Sequence, residues 1–150
     1  MPDEQTTIYA ETPGGPELLA WFGRVPSFHD AEIVRLELNR RRPGRLAVHF
    51  WNMLGDTDER GYFILDRHAV VTFTLIDVID IQLDGFNHQN VLSGLSLLRA
   101  PERPDRQTLY ASSPNDYEIL MEPCFGMDGR IRCRNLTIAL APGKPDDISR

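Results

Sequence analysis

Residues 31–50 read AEIVRLELNRRRPGRLAVHF, and this stretch decides the fold class. Its apolar residues recur at every second position on both sides of Arg40–Gly44, which contains a proline and a glycine. This period is that of a β-strand with one buried face, so the stretch predicts an antiparallel hairpin. The register that aligns its apolar residues pairs Leu38 with Leu46, Leu36 with Val48 and Val34 with Phe50. Arg35 and His49 would then lie on the solvent face.

The same period recurs along the chain and predicts about eight strands. Besides the hairpin these are Tyr62–Leu65, Ala69–Ile76, Ile79–Leu83, a strand around Leu95 and Leu97, Tyr117–Glu122 and Arg130–Leu140. The pair Asp128-Gly129 is a strong signal for a two-residue turn. That turn would pair Met121 with Leu136 and would make Cys124 and Cys133 close cross-strand neighbours, reduced in a cytoplasmic protein.

Helical signals are short. Proline and glutamate at the start and a glycine at the end predict a helix over Pro16–Phe22. Phe86–Leu92 lacks a period of two and predicts a helical turn. Met1–Glu11 is polar, and we expect it to form a mobile arm. The predicted class is therefore α+β and predominantly antiparallel β: one twisted or curved sheet of about eight strands with one or two short helices.

Length and composition indicate a single domain. The chain has 150 residues, of which 41% are hydrophobic and 25% charged, as is ordinary for a globular protein. We expect one domain over 1–150 with a core of about 16–141, between the N-terminal arm and a polar C-terminal tail. Ala100–Arg106 reads as an exposed loop.

The charge and the termini exclude several function classes. Sixteen basic and twenty-two acidic residues give a net charge of −6, which argues against binding of nucleic acid or of an anionic membrane. Met1–Gln5 lacks the character of a signal peptide, and the uncharged stretch Gly85–Leu98 is too polar to span a bilayer. The expected location is the cytoplasm.

Familiar catalytic and cofactor motifs are missing from the sequence. The four histidines (His29, His49, His68 and His88) have no metal-ligand spacing, and the two cysteines cannot form a four-thiolate zinc site. There is also no nucleophile motif and no phosphate-binding loop. We therefore predict no catalytic residue, no metal and no cofactor, and a protein that is not an enzyme.

Two segments carry candidate binding residues. By strand parity, Asp30 and Glu32 extend the apolar row of the first hairpin, where buried carboxylates would have raised pKa values or act as ligands. His29 adds a nitrogen donor, and Asn87 and Asn90 would arrive from a second motif. The alternative is that the apolar face of the sheet ends at Val34 and that these side chains only cap helices or hold a loop amide.

Two charged clusters allow two interpretations each. Arg40–Arg42, with Arg45, forms a basic hairpin tip that is either solvated or a local phosphate contact. Asp80 and Asp84, with Asp77 nearby, form an acidic row that is either a solvated face or a contact for a basic partner.

Several motifs together give the chain a family resemblance. They are Trp21, PSFHDAEI at 26–33, VVTF at 70–73, LDGFNHQNVL at 83–92 and DGRIRC at 128–133. With these motifs the chain resembles the bacterial immunity protein 50 family, predicted antitoxins of polymorphic toxin systems. The resemblance implies an α+β domain that binds and inactivates a toxin encoded beside it. It carries over no binding residues.

The sequence is compatible with two other functions. One is a small-ligand or metal-binding, enzyme-like domain centred on His29, Asp30 and Glu32. The other is a structural binding module with a different partner. A bound metal or a deep pocket would favour the first, and an exposed acidic surface would favour a binding protein.

Overall fold

The computed structural model describes residues 3–100, 113 and 115–145, leaving out the side chains of residues 53–56 and 63–64. In this part of the chain two helices, α1 (Glu4–Glu11) and α2 (Gly15–Phe22), precede six strands. The strands are β1 (Glu32–Glu37), β2 (Gly44–Thr57), β3 (Phe63–Asp84), β4 (Val91–Arg99), β5 (Tyr117–Phe125) and β6 (Asp128–Pro142). The α+β class is therefore confirmed, with two short helices and mostly antiparallel sheet.

The six strands form one sheet that closes on itself in the order β1-β2-β3-β6-β5-β4. All its pairings are antiparallel, and the ring is closed where Glu32 of β1 lies opposite Val91 of β4. Alternate residues of the strands point inward and form the core, to which the helices contribute Tyr9 and Leu18, both fully buried. At this closure the N–H groups of Ile33 and Leu92 donate to the carbonyls of Asn90 and Ala31 at 2.9 and 2.8 Å, so the edges of β1 and β4 are paired there.

The predicted number of strands was too high because β3 is continuous. Tyr62–Leu65, Ala69–Ile76 and Ile79–Leu83 were predicted as three strands, yet β3 runs over Phe63–Asp84. Arg67 and Asp77, which lie in the two predicted breaks, have positive φ angles of 57° and 56°. These local bends interrupt the sequence pattern while the strand stays paired with its neighbours.

The predicted register of the first hairpin is wrong. Leu36 lies opposite Leu46 rather than Val48, and the pairing shifts between Ile33 and Arg35. This bulge directs Ile33 into the core, which strict alternation could not anticipate. Arg35 is exposed as predicted, but Leu38 is 46% exposed. His49 was predicted to be solvated and is buried.

The predicted two-residue turn at Asp128-Gly129 is also wrong. Both residues belong to β6 and lie opposite Asp84 and Leu83 of β3. Gly129 has φ 140°, and a Cβ there would lie 1.8 Å from the Gln82 carbonyl oxygen. The glycine therefore permits the close approach of two distant strands rather than a local turn.

The pairing of β5 with β6 consequently separates the two cysteines. Cys133 lies opposite Tyr117 and is buried, whereas Cys124 is exposed near the end of β5. Met121 lies opposite Gly129 instead of Leu136. The predicted cross-strand neighbours are therefore not neighbours.

The N-terminal and loop predictions need three corrections. Residues 4–11 of the predicted arm form α1, which is capped by the Asp3 carboxylate accepting the Thr6 N–H at 2.8 Å. Its buried Ile8 joins the core, which therefore begins before residue 16. Phe86–Leu92 contains no helical turn: its first five residues form an irregular loop, and its last two begin β4.

The other helix prediction is confirmed. α2 spans Gly15–Phe22 and ends at Gly23, which has φ 78° and donates its N–H to the Leu19 carbonyl. Of the predicted loop Ala100–Arg106, residues 101–106 lie outside the described part of the chain. None of the helices in that part has the length and apolar character needed to cross a membrane.

Candidate functional site

The two segments that carry the predicted binding residues lie side by side at the seam between β1 and β4. Glu32 is opposite Val91, and the Asp30 N–H donates to the Leu92 carbonyl at 2.8 Å. The structure thus brings together the segments of His29, Asp30, Glu32, Asn87 and Asn90. The backbone pairing that closes the sheet joins them, since the Ile33 N–H also donates to the Asn90 carbonyl at 2.9 Å.

Asn90 holds the loops of this seam from inside. Its side chain is buried, and its Oδ1 accepts the N–H groups of Asn87 at 3.1 Å and of Met127 at 2.9 Å. Its Nδ2 donates to the Asn87 carbonyl at 2.8 Å. Three hydrogen bonds on a buried amide make Asn90 a positioning residue, and Asn87 is held by it at the surface.

Phe28 anchors the other segment of the seam. It has φ 59° although it is a bulky residue, and its fully buried ring lies 5.3 Å from the ring of Phe50 and 6.2 Å from that of Phe73. A positive φ at a bulky residue costs about 1–3 kcal/mol, and this backbone conformation persists only where the surrounding structure fixes it. The aromatic packing therefore fixes the adjoining loop.

His29 and Asp30 are displayed on this fixed loop. Their side chains are 63% and 49% exposed, and His29 Nε2 lies 3.7 Å from Asp30 Oδ2. Asp30 also has a positive φ, 66°, which turns the chain before β1 begins. The expectation that Asp30 extends the buried row is therefore wrong, because strand parity does not continue through this turn. Glu32 is half-buried.

Two exposed phenylalanines adjoin the seam. Phe86 and Phe125 are 60% and 53% exposed. They flank Gly85 and Gly126, whose backbones touch, because a Cβ on Gly85 would lie 2.8 Å from the Gly126 carbonyl oxygen. Sequence reasoning missed both rings, since isolated aromatic residues next to turn glycines follow no periodic pattern.

Several acidic residues lie on the strand ends next to these two turns. Asp84 directly precedes the first turn, and it lies opposite Asp128 on β6. Glu122 is exposed on β5, with a carboxylate oxygen 3.7 Å from the position of a Cβ on Gly94. We call this surface the seam face and define it by Phe86, Phe125, His29, Asp30, Glu32, Asp84, Glu122 and Asp128.

The predicted acidic row on β3 is not continuous. Asp80 lies opposite Arg132, which forms a buried ion pair with Glu118 at 3.1 Å. Asp77 lies beside the arginine-rich hairpin, in a separate cleft. Only Asp84 of the row belongs to the seam face.

A pair of histidines lies beside the seam on β2 and β3. His49, opposite Glu32, is 4% exposed, and its Nε2 lies 3.0 Å from Nδ1 of His68. Burial, with smaller effects from His68 and Lys144, lowers the pKa of His49 from 6.5 to about 4. The ring is therefore neutral at pH 7 and packs 5.0 Å from the Trp51 ring.

No group of three or more potential metal-ligating side chains (His, Cys, Asp or Glu) occurs within residues 3–100, 113 and 115–145. His29 and Asp30 are a surface pair rather than a closed ligand set, because both project into solvent. The chemistry of the seam face is therefore that of contact: two apolar rings, one imidazole and several carboxylates.

Comparisons of the chain with models of protein families, with curated proteins and with solved structures find no match.

Proposed function

We propose that this protein is an immunity protein that binds and neutralises a bacterial toxin, and that the seam face is its binding surface. One observation carries the proposal. Phe86 and Phe125 are largely exposed on turns whose backbones touch and whose position is fixed by Asn90. The family resemblance of the sequence supports the same function.

Exposed aromatic side chains with charged side chains around them are typical of protein-binding surfaces. Phenylalanine rings bury a large apolar area, and a few such anchors supply most of the binding free energy of an interface. Carboxylates at the rim contribute to specificity and to the association rate. Since the chain carries a net charge of −6, the matching partner surface is basic around an apolar centre.

The rigidity of the seam favours tight binding. Phe28 is locked by aromatic packing, and Asn90 links the loops on both sides of the seam. A surface that is already ordered loses little conformational entropy when a partner binds. A neutralising protein benefits from such order because it must hold the toxin for long periods.

The alternative function, a small-ligand or metal-binding domain centred on His29, Asp30 and Glu32, has less support. His29 and Asp30 expose 63% and 49% of their side chains, so a ligand there would stay largely in solvent. Small-molecule sites enclose most of their ligand.

The test is co-expression with the toxin encoded beside this gene. The Phe86→Ser/Phe125→Ser variant should fail to protect. Its Kd for the toxin should rise by about 100-fold or more, because two apolar anchors are removed. The matched control is Leu38→Ser/Tyr62→Ser, which removes exposed apolar residues (46% and 68% exposed) outside the seam face. It should protect like the native protein.

Two results would overturn the proposal. One is full protection by the Phe86→Ser/Phe125→Ser variant with an unchanged Kd. The other is one tightly held metal ion per chain that is lost in Glu32→Ala, which would establish the alternative. Urea unfolding of each variant separates lost binding from lost folding.

A further inference from the structure

An arginine-lined cleft lies under the β1–β2 hairpin, away from the seam face. It has a volume of about 390 Å³, and its lining includes Arg40, Arg41, Arg42, Arg134 and Asp77. Asp77 precedes Asp84 of the seam face by seven residues along β3, which corresponds to about 23 Å. The two sites are therefore separate.

The hairpin that carries three of these arginines is held in place. Asn39 Nδ2 donates to Glu37 Oε2 at 2.8 Å and to the Pro43 carbonyl at 3.0 Å. Glu37 also pairs with Arg35 and, at 3.4 Å, with Arg45. These contacts order the backbone that carries the three arginines, which lowers the entropic cost of binding a ligand to the loss of side-chain freedom.

The charges of the cleft are unequal. Arg134 is balanced by Asp116, whose Oδ2 lies 3.0 Å from Arg134 Nη1. Within the described part of the chain, the side chains of Arg40, Arg41 and Arg42 form no ion pair or hydrogen bond. Besides the balanced Arg134, the lining thus contains three arginines and one acidic residue, Asp77, on a chain whose net charge is −6. The local sign reversal concentrates anions there.

We propose that this cleft binds a small phosphorylated molecule with an apolar or planar moiety. Guanidinium groups donate paired hydrogen bonds to phosphate oxygens, and several arginines match a ligand with more than one phosphate charge. Pro43, Ile76, Val78 and Ile79 also line the cleft and provide an apolar surface for the rest of the molecule. The volume is that of a small-molecule site rather than of a protein interface.

Calorimetric titration of the full chain at physiological ionic strength tests this proposal with ADP, pyrophosphate, citrate and a polyglutamate peptide. ADP should bind with a Kd below about 1 mM, more tightly than pyrophosphate, because only ADP also uses the apolar wall. Arg40→Gln/Arg42→Gln should weaken ADP binding by about tenfold or more. Arg24→Gln/Arg60→Gln removes the same charge at exposed positions outside the cleft and should change the affinity by less than about twofold.

The other outcomes overturn the proposal. Equal loss of affinity in both double variants would mean a general charge effect, and absence of ADP binding would exclude the site. Citrate binding as tight as ADP binding would reject phosphate recognition. Binding of polyglutamate without ADP would assign the cleft to an acidic protein segment. Toxin protection by Arg40→Gln/Arg42→Gln should be unchanged, which separates this test from that of the seam face.

Discussion

The side chain of Asn90 accepts the backbone N–H of Met127 at 2.9 Å, across 37 positions of sequence. This contact fixes the connection between β5 and β6 against the start of β4, where the sheet closes. The same Oδ1 accepts the Asn87 N–H at 3.1 Å. One buried amide thus positions both turns that carry the exposed phenylalanines.

Asn90→Ala should lower the free energy of unfolding by about 2–4 kcal/mol, because the buried N–H of Met127 would lose its partner. Asn87→Ala is the matched control. Among the described residues its side chain forms hydrogen bonds with nearby backbone alone, the Gln89 N–H and the Gly85 carbonyl, and its loss should cost less than about 1 kcal/mol. Urea unfolding measures both, and similar losses would reject the central role of Asn90.

Tyr9 and Tyr117 should respond oppositely to removal of the hydroxyl group. The Tyr9 hydroxyl is buried without a hydrogen-bond partner among the described residues, and burial raises its pKa. Tyr9→Phe should therefore be neutral or stabilise the protein by up to about 1 kcal/mol. The Tyr117 hydroxyl lies 3.0 Å from Thr12 Oγ1, so Tyr117→Phe should destabilise by about 1 kcal/mol. A clear loss of stability in Tyr9→Phe, measured by thermal or urea unfolding, would contradict this assignment.

Local alternation in the sequence predicted where most strands lie but failed to predict how they pair. Asp128-Gly129 has the composition of a tight turn, yet both residues pair with β3, because the closed sheet offers long-range partners. The bulge at Val34 likewise shifts the register of the first hairpin, and with this shift Ile33 is buried in the core. Register is thus set by the whole sheet, which a local pattern does not contain.

The candidate site could likewise be predicted in part: its segments followed from the sequence, but the roles of their residues did not. The sequence singled out both segments of the seam, and the β1–β4 closure joins them. The sequence could not distinguish the role of Asn90, which is buried and holds the backbone of the loops, from that of the exposed His29. Phe86 and Phe125 were missed because their exposure depends on turns that only the closed sheet defines.

Stability should fall as the pH drops from about 6.5 to about 4. In the folded protein the pKa of His49 is lowered from 6.5 to about 4 by burial and, to a smaller extent, by His68 and Lys144. The unfolded chain therefore binds more protons in this range, so acid favours unfolding, and the stabilisation is fully present above the unfolded pKa. The pKa of His68 is lowered as well, mainly by burial, while Asp66 opposes that shift.

Urea unfolding at a series of pH values checks this expectation. The loss between pH 6.5 and 4.5 should be on the order of 1–3 kcal/mol, and it should shrink in His49→Gln. His88→Gln, which changes an exposed histidine, should show the same dependence of the free energy of unfolding on pH as the native protein. If His49→Gln also showed the native dependence, His49 would not be the responsible group.

The two cysteines should differ sharply in reactivity. Cys133 lies between Val78 of β3 and Tyr117 of β5, and burial raises the pKa of its thiol to about 12. Cys124 is exposed. Because the thiolate is the reactive form, a thiol reagent at pH 8 should modify one cysteine in the native protein and both after unfolding. Cys124→Ser should abolish the native reaction, whereas Cys133→Ser should preserve it. A disulfide between Cys124 and Cys133 in the folded protein would instead restore the tight-turn register of β5 and β6 and reject the pairing described above.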